Sequence, residues 1–269
     1  MKIGICNEMF ENWDIEKIFY FIKEIGYEGL EIAPFTLGNS VDEIEKELIE
    51  KIKFLSKKTG IEIIGTQWLL AKPAGLSVST NDKSVREKTS SYLCQLVHFT
   101  AEIGGKIMVF GSPKQRNIEK NQTYDEVKKN FIECLLKPLE VAEKENIYIC
   151  LEPLAKSETN FINTAKEAIE IINEVDHPNL KLHLDVKAMC DEGNPIPEII
   201  KESRRHLKHF HTNDKNLLGP GFGDVDYKPI IETLKEIGYN GYLSVEVFNF
   251  SPGAEVIARK SIEYLRKFL

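Results

Sequence analysis

Eight short runs rich in Ile, Leu and Val recur along this chain, and each is followed by a stretch with helical spacing. The runs are Lys2–Cys6, Gly29–Ala33, Glu62–Gln67, Lys106–Phe110, Ile147–Glu152, Leu180–Asp185, Leu207–Thr212 and Tyr242–Glu246. Between them apolar residues return at i, i+3 and i+4, the period of a helix with one buried face. Asp14–Gly26 puts Ile15, Ile18, Phe19, Ile22 and Ile25 on one side. Asp42–Thr59 does the same with Ile44, Leu48, Ile52 and Leu55, and Asn163–Val175 with Ala165, Ala168, Ile169 and Ile172. Gly26, Gly60, Gly104-Gly105 and Gly238 stand where helices should stop, because glycine takes the left-handed conformation that ends them. The corner Gly26-Tyr27-Glu28-Gly29-Leu30 returns as Gly238-Tyr239-Asn240-Gly241-Tyr242, one helix-to-strand turn used twice.

Strict alternation of strand and helix leaves two architectures, a closed (β/α)₈ barrel and an open doubly wound sheet. An open sheet of that kind should carry a glycine-rich phosphate loop after its first strand. Here that turn reads Cys6-Asn7-Glu8-Met9-Phe10-Glu11-Asn12, without glycine. The fold class is therefore α/β, a single (β/α)8 TIM barrel, with residues 1–269 as one domain. No low-complexity linker divides the chain. The longer loops, Trp68–Asn81, Gly111–Thr123 and Asp214–Asp226, all follow strands, the end of a barrel on which sites are built.

Several function classes fall away. Net charge is -7 and no Lys/Arg stripe stands out, so a nucleic-acid partner is not expected. No apolar run approaches the ~18 residues that span a bilayer, and Met1–Cys6 reads as a strand and not as a signal peptide. A soluble, cytoplasmic protein with no membrane partner is the expectation. The five cysteines contain no CxxC pair, which argues against a disulfide framework and a structural zinc site. Cys6 and Cys150 read as small buried hydrophobes.

Four of the apolar runs stop at an acid or an imidazole: Glu152, Asp185, His211 and Glu246. Charged groups are rarely buried without a partner, so four such strand ends on one sheet suggest one shared polar site. Three carboxylates and a neutral imidazole suit a divalent metal ion such as Mn²⁺, Mg²⁺ or Co²⁺. Alternation also turns His183 with Asp185 and His209 with His211 toward the barrel axis, where His183 and His209 read as hydrogen-bonded histidines lower down. Glu152 and Glu246 come from strands that are not neighbours in an eight-strand ring, so they can flank a substrate across the mouth. Beside a metal that polarises a carbonyl, one glutamate can remove a proton from the adjacent carbon and the other can deliver one.

Four segments resemble the xylose isomerase-like barrels, and most closely the ketose 3-epimerases of the D-tagatose 3-epimerase type. They are Leu151-Glu152-Pro153-Leu154 with Glu158–Ala165, His183-Leu184-Asp185, His209-Phe210-His211 with Gly221–Asp226, and Gly238–Glu246. The resemblance implies a metal-dependent isomerase or epimerase with a small carbohydrate as its partner, and is consistent with a homo-oligomer. It implies that Glu152, Asp185, His211 and Glu246 bind the metal, Mn²⁺ being the expected ion, and that Glu152 and Glu246 are the acid–base pair. It also implies a substrate-hydroxyl contact at Glu158. Where those epimerases carry a histidine and an arginine that touch sugar oxygens, this chain has Ala188 and Leu217. That departure points to a keto-sugar derivative and a pocket with a more apolar wall. It also keeps open a lyase or dehydratase acting on a keto sugar, keto-glycoside or keto-cyclitol through the same site.

Other residues after strands complete the expected mouth. Lys187, Asn213, Asp214 and Lys215 are candidates to replace the missing contacts. Gln67 and Trp68 are expected at the substrate, with Asn7, Glu8 and Trp13 nearby, and Trp68 is suited to stack on a sugar face. Lys114 and Arg116 read as solvated loop residues that could also hold a phosphate or carboxylate. Resemblance to the DNA-repair endonucleases that share this barrel would imply a three-zinc site with further histidines; those places here read Gln67, Phe110, Ala188 and Asp226 and the basic DNA-binding surface is missing, so that reading is set aside.

Overall fold

The computed structural model describes residues 1–269. Eight strands are present: β1 (Lys2–Cys6), β2 (Gly29–Ile32), β3 (Glu62–Thr66), β4 (Ile107–Phe110), β5 (Tyr148–Leu151), β6 (Leu180–Asp185), β7 (Leu207–Thr212) and β8 (Tyr242–Val245). Each pairs in parallel with the next, and β8 pairs with β1, which closes the barrel. The helices are α1 (Ile15–Ile25), α2 (Lys46–Thr59), α3 (Lys83–Glu102), α4 (Tyr124–Glu145), α5 (Ala165–Val175), α6 (Val186–Met189), α7 (Ile196–Ser203), α8 (Tyr227–Glu236) and α9 (Ala254–Arg266). The expected strands match to within a residue at each end. The helix expected from Asp42 begins at Lys46 instead, because Val41–Glu43 forms a separate 3₁₀ turn and Ile44 is extended.

Local chemistry explains the helix ends. Asp14 caps α1 by accepting from the Glu16 N–H, and Thr123 and Thr164 start α4 and α5 with reciprocal bonds to Glu126 and Glu167. Gly26 and Gly60 end α1 and α2 in the left-handed conformation. No helix is long and apolar enough to cross a membrane.

The barrel wall sorts its side chains by alternation. Outward residues such as Ile3, Ile5, Leu30, Ile32, Leu182, Leu184, Phe210 and Leu243 join the inner helix faces in one continuous apolar layer. The inward residues divide into two groups. On β3, β4 and β5 they are Ile64, Ile107, Val109 and Cys150, a small apolar cluster of their own. On β2, β6 and β7 they are Glu31, His183, His209 and His211, all buried. Three staves therefore give the interior an apolar lining and three others an ionisable one.

Candidate metal and acid–base site

The strand ends bring four ligand groups to one point. One atom each from Glu152, Asp185, His211 and Glu246 lies within 4.8 Å of the others. Donors on opposite sides of a small divalent ion stand about 4.2 Å apart, twice a metal–oxygen distance of about 2.1 Å, so modest contraction would close the shell. Glu152 and Glu246 sit one residue beyond β5 and β8, while Asp185 and His211 lie on β6 and β7. The β6–β7 register sets Asp185 directly opposite His211 and His183 opposite His209.

Each ligand is held by its own surroundings. Asp185 caps α6: one carboxylate oxygen accepts from the Ala188 N–H at 2.8 Å and the other from the Asn213 side-chain amide. Asn213 in turn accepts from the Lys187 N–H at 2.8 Å. The Glu152 backbone is pinned from behind, where Arg116 Nη1 donates to its carbonyl at 2.8 Å and Nη2 donates to the Ile162 carbonyl at 3.1 Å. Gly111 faces the Glu152 carboxylate with no room for a side chain; a Cβ there would stand 2.2 Å from Oε2. Glu246 is held at both oxygens. Trp68 Nε1–H donates to Oε1 at 3.0 Å, and Oε2 lies 3.1 Å from His211 Nδ1.

The electrostatics favour a cation. Burial pushes the Glu152 carboxyl well above the usual carboxylate range, and Glu246 and Asp185 add to the rise. Burial also raises Asp185, against the pull of Lys187, and raises Glu8, with Glu246 adding to it. Burial opposes charge on His211, yet Glu31 and Glu246 hold its pKa well above the ordinary histidine value. Four carboxyl groups thus crowd a space in which His211 and Lys187 supply the positive charge. A divalent cation is the group this donor set fits.

A cavity of about 250 Å³ opens beside Glu152 and Glu246. Its wall includes Gln67, Trp68, Pro113, Lys114, Leu154, Glu158 and Phe248. Trp68 is 39 % exposed and sits between the rings of Phe35 and Phe248, with centroids 5.7 and 6.1 Å away. Lys187 Nζ bonds both Glu158 oxygens at 2.9 Å and lies 3.8 Å above the Phe248 ring. Gln67 Nε2 donates to Glu8 at 2.7 Å, so Gln67 braces a neighbouring carboxylate.

Several expectations need correction. Arg116 is not a solvated loop residue; it is fully buried, and burial lowers its pKa to about 10. Ala188 and Leu217 do not line the cavity: Ala188 is packed under Asp185, and Leu217 is 43 % exposed at a φ of 70°. The departure from the epimerase pattern therefore removes contacts without giving the cavity a new apolar wall. Asp214 is no mouth residue either, because its carboxylate accepts from Gly223 and Val225 within its own loop. Trp13 packs on Phe10 and Phe21 with Lys17 Nζ 3.5 Å above its ring. Asn7 is spent on Thr36 and the Ala33 N–H. His183 finds no hydrogen-bond partner at either nitrogen, and burial pulls its pKa well down. Cys6 is buried, as expected, but its Sγ lies 3.9 Å from His211 Nε2.

Sequence reasoning missed Glu31, Phe35 and Phe248. Glu31 carried the same signal as the four ligands, a carboxylate inside an apolar run, but within the strand and not at its end.

Comparison with known proteins agrees with this architecture. The profile of a family described as xylose isomerase-like TIM barrel matches residues 19–268. A D-psicose 3-epimerase of Ruminiclostridium cellulolyticum is 29% identical over 92% of this chain and 84% of its own length. A 3-dehydro-D-guloside 4-epimerase of Escherichia coli is 26% identical over 91% of this chain and 92% of its own. The crystal structure of a 3-keto-D-glucoside 4-epimerase from E. coli superposes with a TM-score of 0.87 at 25% identity, covering 99% of both chains.

Proposed function

The chain belongs to the xylose isomerase-like TIM barrel family, and we propose that it is a metal-dependent epimerase acting on a keto sugar or keto-glycoside. Its relatives are named ketose 3-epimerases and a 4-epimerase of a dehydro-guloside, all isomerase-class enzymes. The observation that carries the reading is that Glu152 and Glu246, on non-adjacent staves, line one cavity and share one ligand cluster.

Glu152, Asp185, His211 and Glu246 would hold the ion, with Mn²⁺ the expected choice and Mg²⁺ or Co²⁺ alternatives. The chemistry such an ion supplies when bound is polarisation of a carbonyl oxygen, which acidifies the neighbouring C–H bond. One glutamate takes the proton from that carbon, and the other gives a proton to its opposite face, which inverts the centre. Trp68 donates to one oxygen of Glu246, so its carboxylate is oriented before substrate arrives. Glu158 lines the cavity and faces the sugar hydroxyls, held in place by the buried Lys187. Trp68 and Phe248 offer an apolar wall for the C–H face of the ring.

The test is turnover of ketohexoses and 3-keto-glycosides in D₂O with Mn²⁺, followed by NMR of the product. Epimer carrying deuterium at the carbon next to the carbonyl is expected. Complete conversion without deuterium would refute exchangeable proton transfer, and a conjugated, ultraviolet-absorbing product would assign elimination instead.

A further inference from the structure

Glu31 is a fully buried carboxylate in the middle of an otherwise apolar strand. Its neighbours Leu30 and Ile32 belong to the outward apolar layer, so alternation turns Glu31 to the barrel axis. There it meets two imidazoles. Its Oε2 lies 3.1 Å and its Oε1 3.3 Å from His211 Nε2, and Oε1 also bonds His209 Nε2. It touches no solvent and stands below the cavity wall, so it contacts no substrate.

We propose that Glu31 is a positioning residue for the metal site, one that selects the tautomer and fixes the ring plane of His211. The proposal rests on the reading of His211 as a ligand. An imidazole has two distinct nitrogens, and here they face different partners. Nδ1 faces the ligand cluster, 3.1 Å from Glu246 Oε2, while Nε2 faces Glu31. An ionised carboxylate only accepts hydrogen bonds, so Nε2 must carry the hydrogen. Without metal Nδ1 also carries a hydrogen, which it gives to Glu246; a metal ion held by the cluster would take the place of that proton, while Glu31 keeps the one on Nε2. Metal-binding histidines characteristically give their other N–H to a carboxylate or carbonyl in this way.

Two further contacts keep the bracket rigid. His209 holds Oε1, so Glu31 cannot swing away from His211 without breaking a second buried bond. The His183 ring meets the His211 ring edge to face, with centroids 4.1 Å apart, which limits its rotation. A sole role in pairing with His209 would not require both Glu31 oxygens to lie within hydrogen-bond reach of His211.

The experiment uses the full chain stripped of metal. Calorimetric titration with Mn²⁺ compares wild type, Glu31→Gln, Glu31→Ala and His211→Asn. Imidazole ¹⁵N shifts are recorded for wild type and Glu31→Gln with Mg²⁺ as a diamagnetic ion. Glu31→Gln keeps the volume and one acceptor, and should weaken the metal roughly 10- to 100-fold, the scale of an outer carboxylate lost from a histidine ligand. Glu31→Ala should weaken it further. The wild-type spectrum should show His211 protonated at Nε2, and Glu31→Gln should broaden or mix the tautomers. A Glu31→Gln chain that binds Mn²⁺ within twofold of wild type, while His211→Asn loses it, overturns the proposal and leaves the ligand reading standing. Undiminished binding by His211→Asn overturns both. Should the Glu31 variants fail to fold, the wild-type spectrum still decides, because a His211 protonated at Nδ1 in the loaded protein contradicts the proposal.

Discussion

Adding a single methyl group at Gly111 should separate the stability of the barrel from the function of its mouth. Gly111 follows β4, and a Cβ built there would stand 2.2 Å from Glu152 Oε2 and 3.3 Å from its Cδ. Ordinary carbon–oxygen contact needs about 1 Å more than the closer figure, given that non-bonded heavy atoms are most favourable at about 3.5 Å. The obstruction is the tip of a side chain, so it can be relieved by rotation. The Glu152 backbone cannot share in that movement, because Arg116 holds its carbonyl. The carboxylate must therefore move about 1 Å, a misplacement on the order of 100-fold in rate, or about 2.7 kcal/mol in the barrier. The fold should hardly notice, since Gly→Ala at a permitted conformation even stabilises by roughly 0.4–1 kcal/mol through the unfolded chain. The expected result for Gly111→Ala is a melting temperature within about 3 °C of wild type, Mn²⁺ binding weaker by roughly tenfold or more, and kcat/KM on the deuterium-incorporating substrate lower by about two orders of magnitude. Wild-type kcat/KM would show that the placement of Glu152 is not what the site depends on. A large fall in melting temperature would show that the wall, and not a mobile carboxylate, meets the new methyl.

Three further expectations follow from described contacts. Lys187→Met keeps the stem above Phe248 but removes the bond to Glu158, so KM should rise at least tenfold with no loss of Mn²⁺ affinity, since a competing positive charge is removed; an unchanged KM would place this pair outside substrate contact. Metal should stabilise the chain, because the carboxyl groups of the site repel one another without it: Mn²⁺ at about 100 times its Kd adds about 2.7 kcal/mol, and Asp185→Asn should abolish the thermal shift that calorimetry records. Glu192 gives a pH signature: burial raises its carboxyl from 4.5 to about 7, opposed by the Ala165 N–H, so the folded chain keeps a proton that the unfolded chain releases over that window. Its contribution is complete at low pH and is lost as pH rises through about 7. The melting-temperature gain of Glu192→Gln over wild type should therefore grow from pH 5 to 8, and a constant difference would contradict this.

The fold was legible because closing a parallel barrel requires eight buried strands, and the chain writes each as an apolar run ended by turn chemistry. The ligand set was legible for a related reason: a carboxylate ending such a run conflicts with burial and so announces itself. What stayed hidden depends on distance in sequence. Nothing near Arg116 says that its guanidinium will be buried against the carbonyls of Glu152 and Ile162, which lie 36 and 46 residues away. The bond from Trp68 to Glu246 spans 178 residues, so composition alone could offer Trp68 only as a stacking surface. Leu217 misled for a local reason: its place in the family pattern suggested a pocket wall, whereas its left-handed backbone turns the side chain outward. Glu31 was within reach, since its signal differs from that of Glu152 only in position along the strand.

The divided interior has a consequence for how this barrel can change. On the apolar side, Ile64, Ile107, Val109 and Cys150 form a small cluster of their own with Tyr148 and Tyr242 against it, so substitutions that conserve volume should be absorbed there locally. On the other side, Glu31, His183, His209 and His211 touch in series, and a change at one alters the partners of the next. New specificity would come most readily through the loops over β3 and β4, whose staves tolerate repacking. Drift on β2, β6 and β7 would need paired substitutions. The same ring of strands thus contains one arc open to revision and another in which a single replacement strands its neighbours.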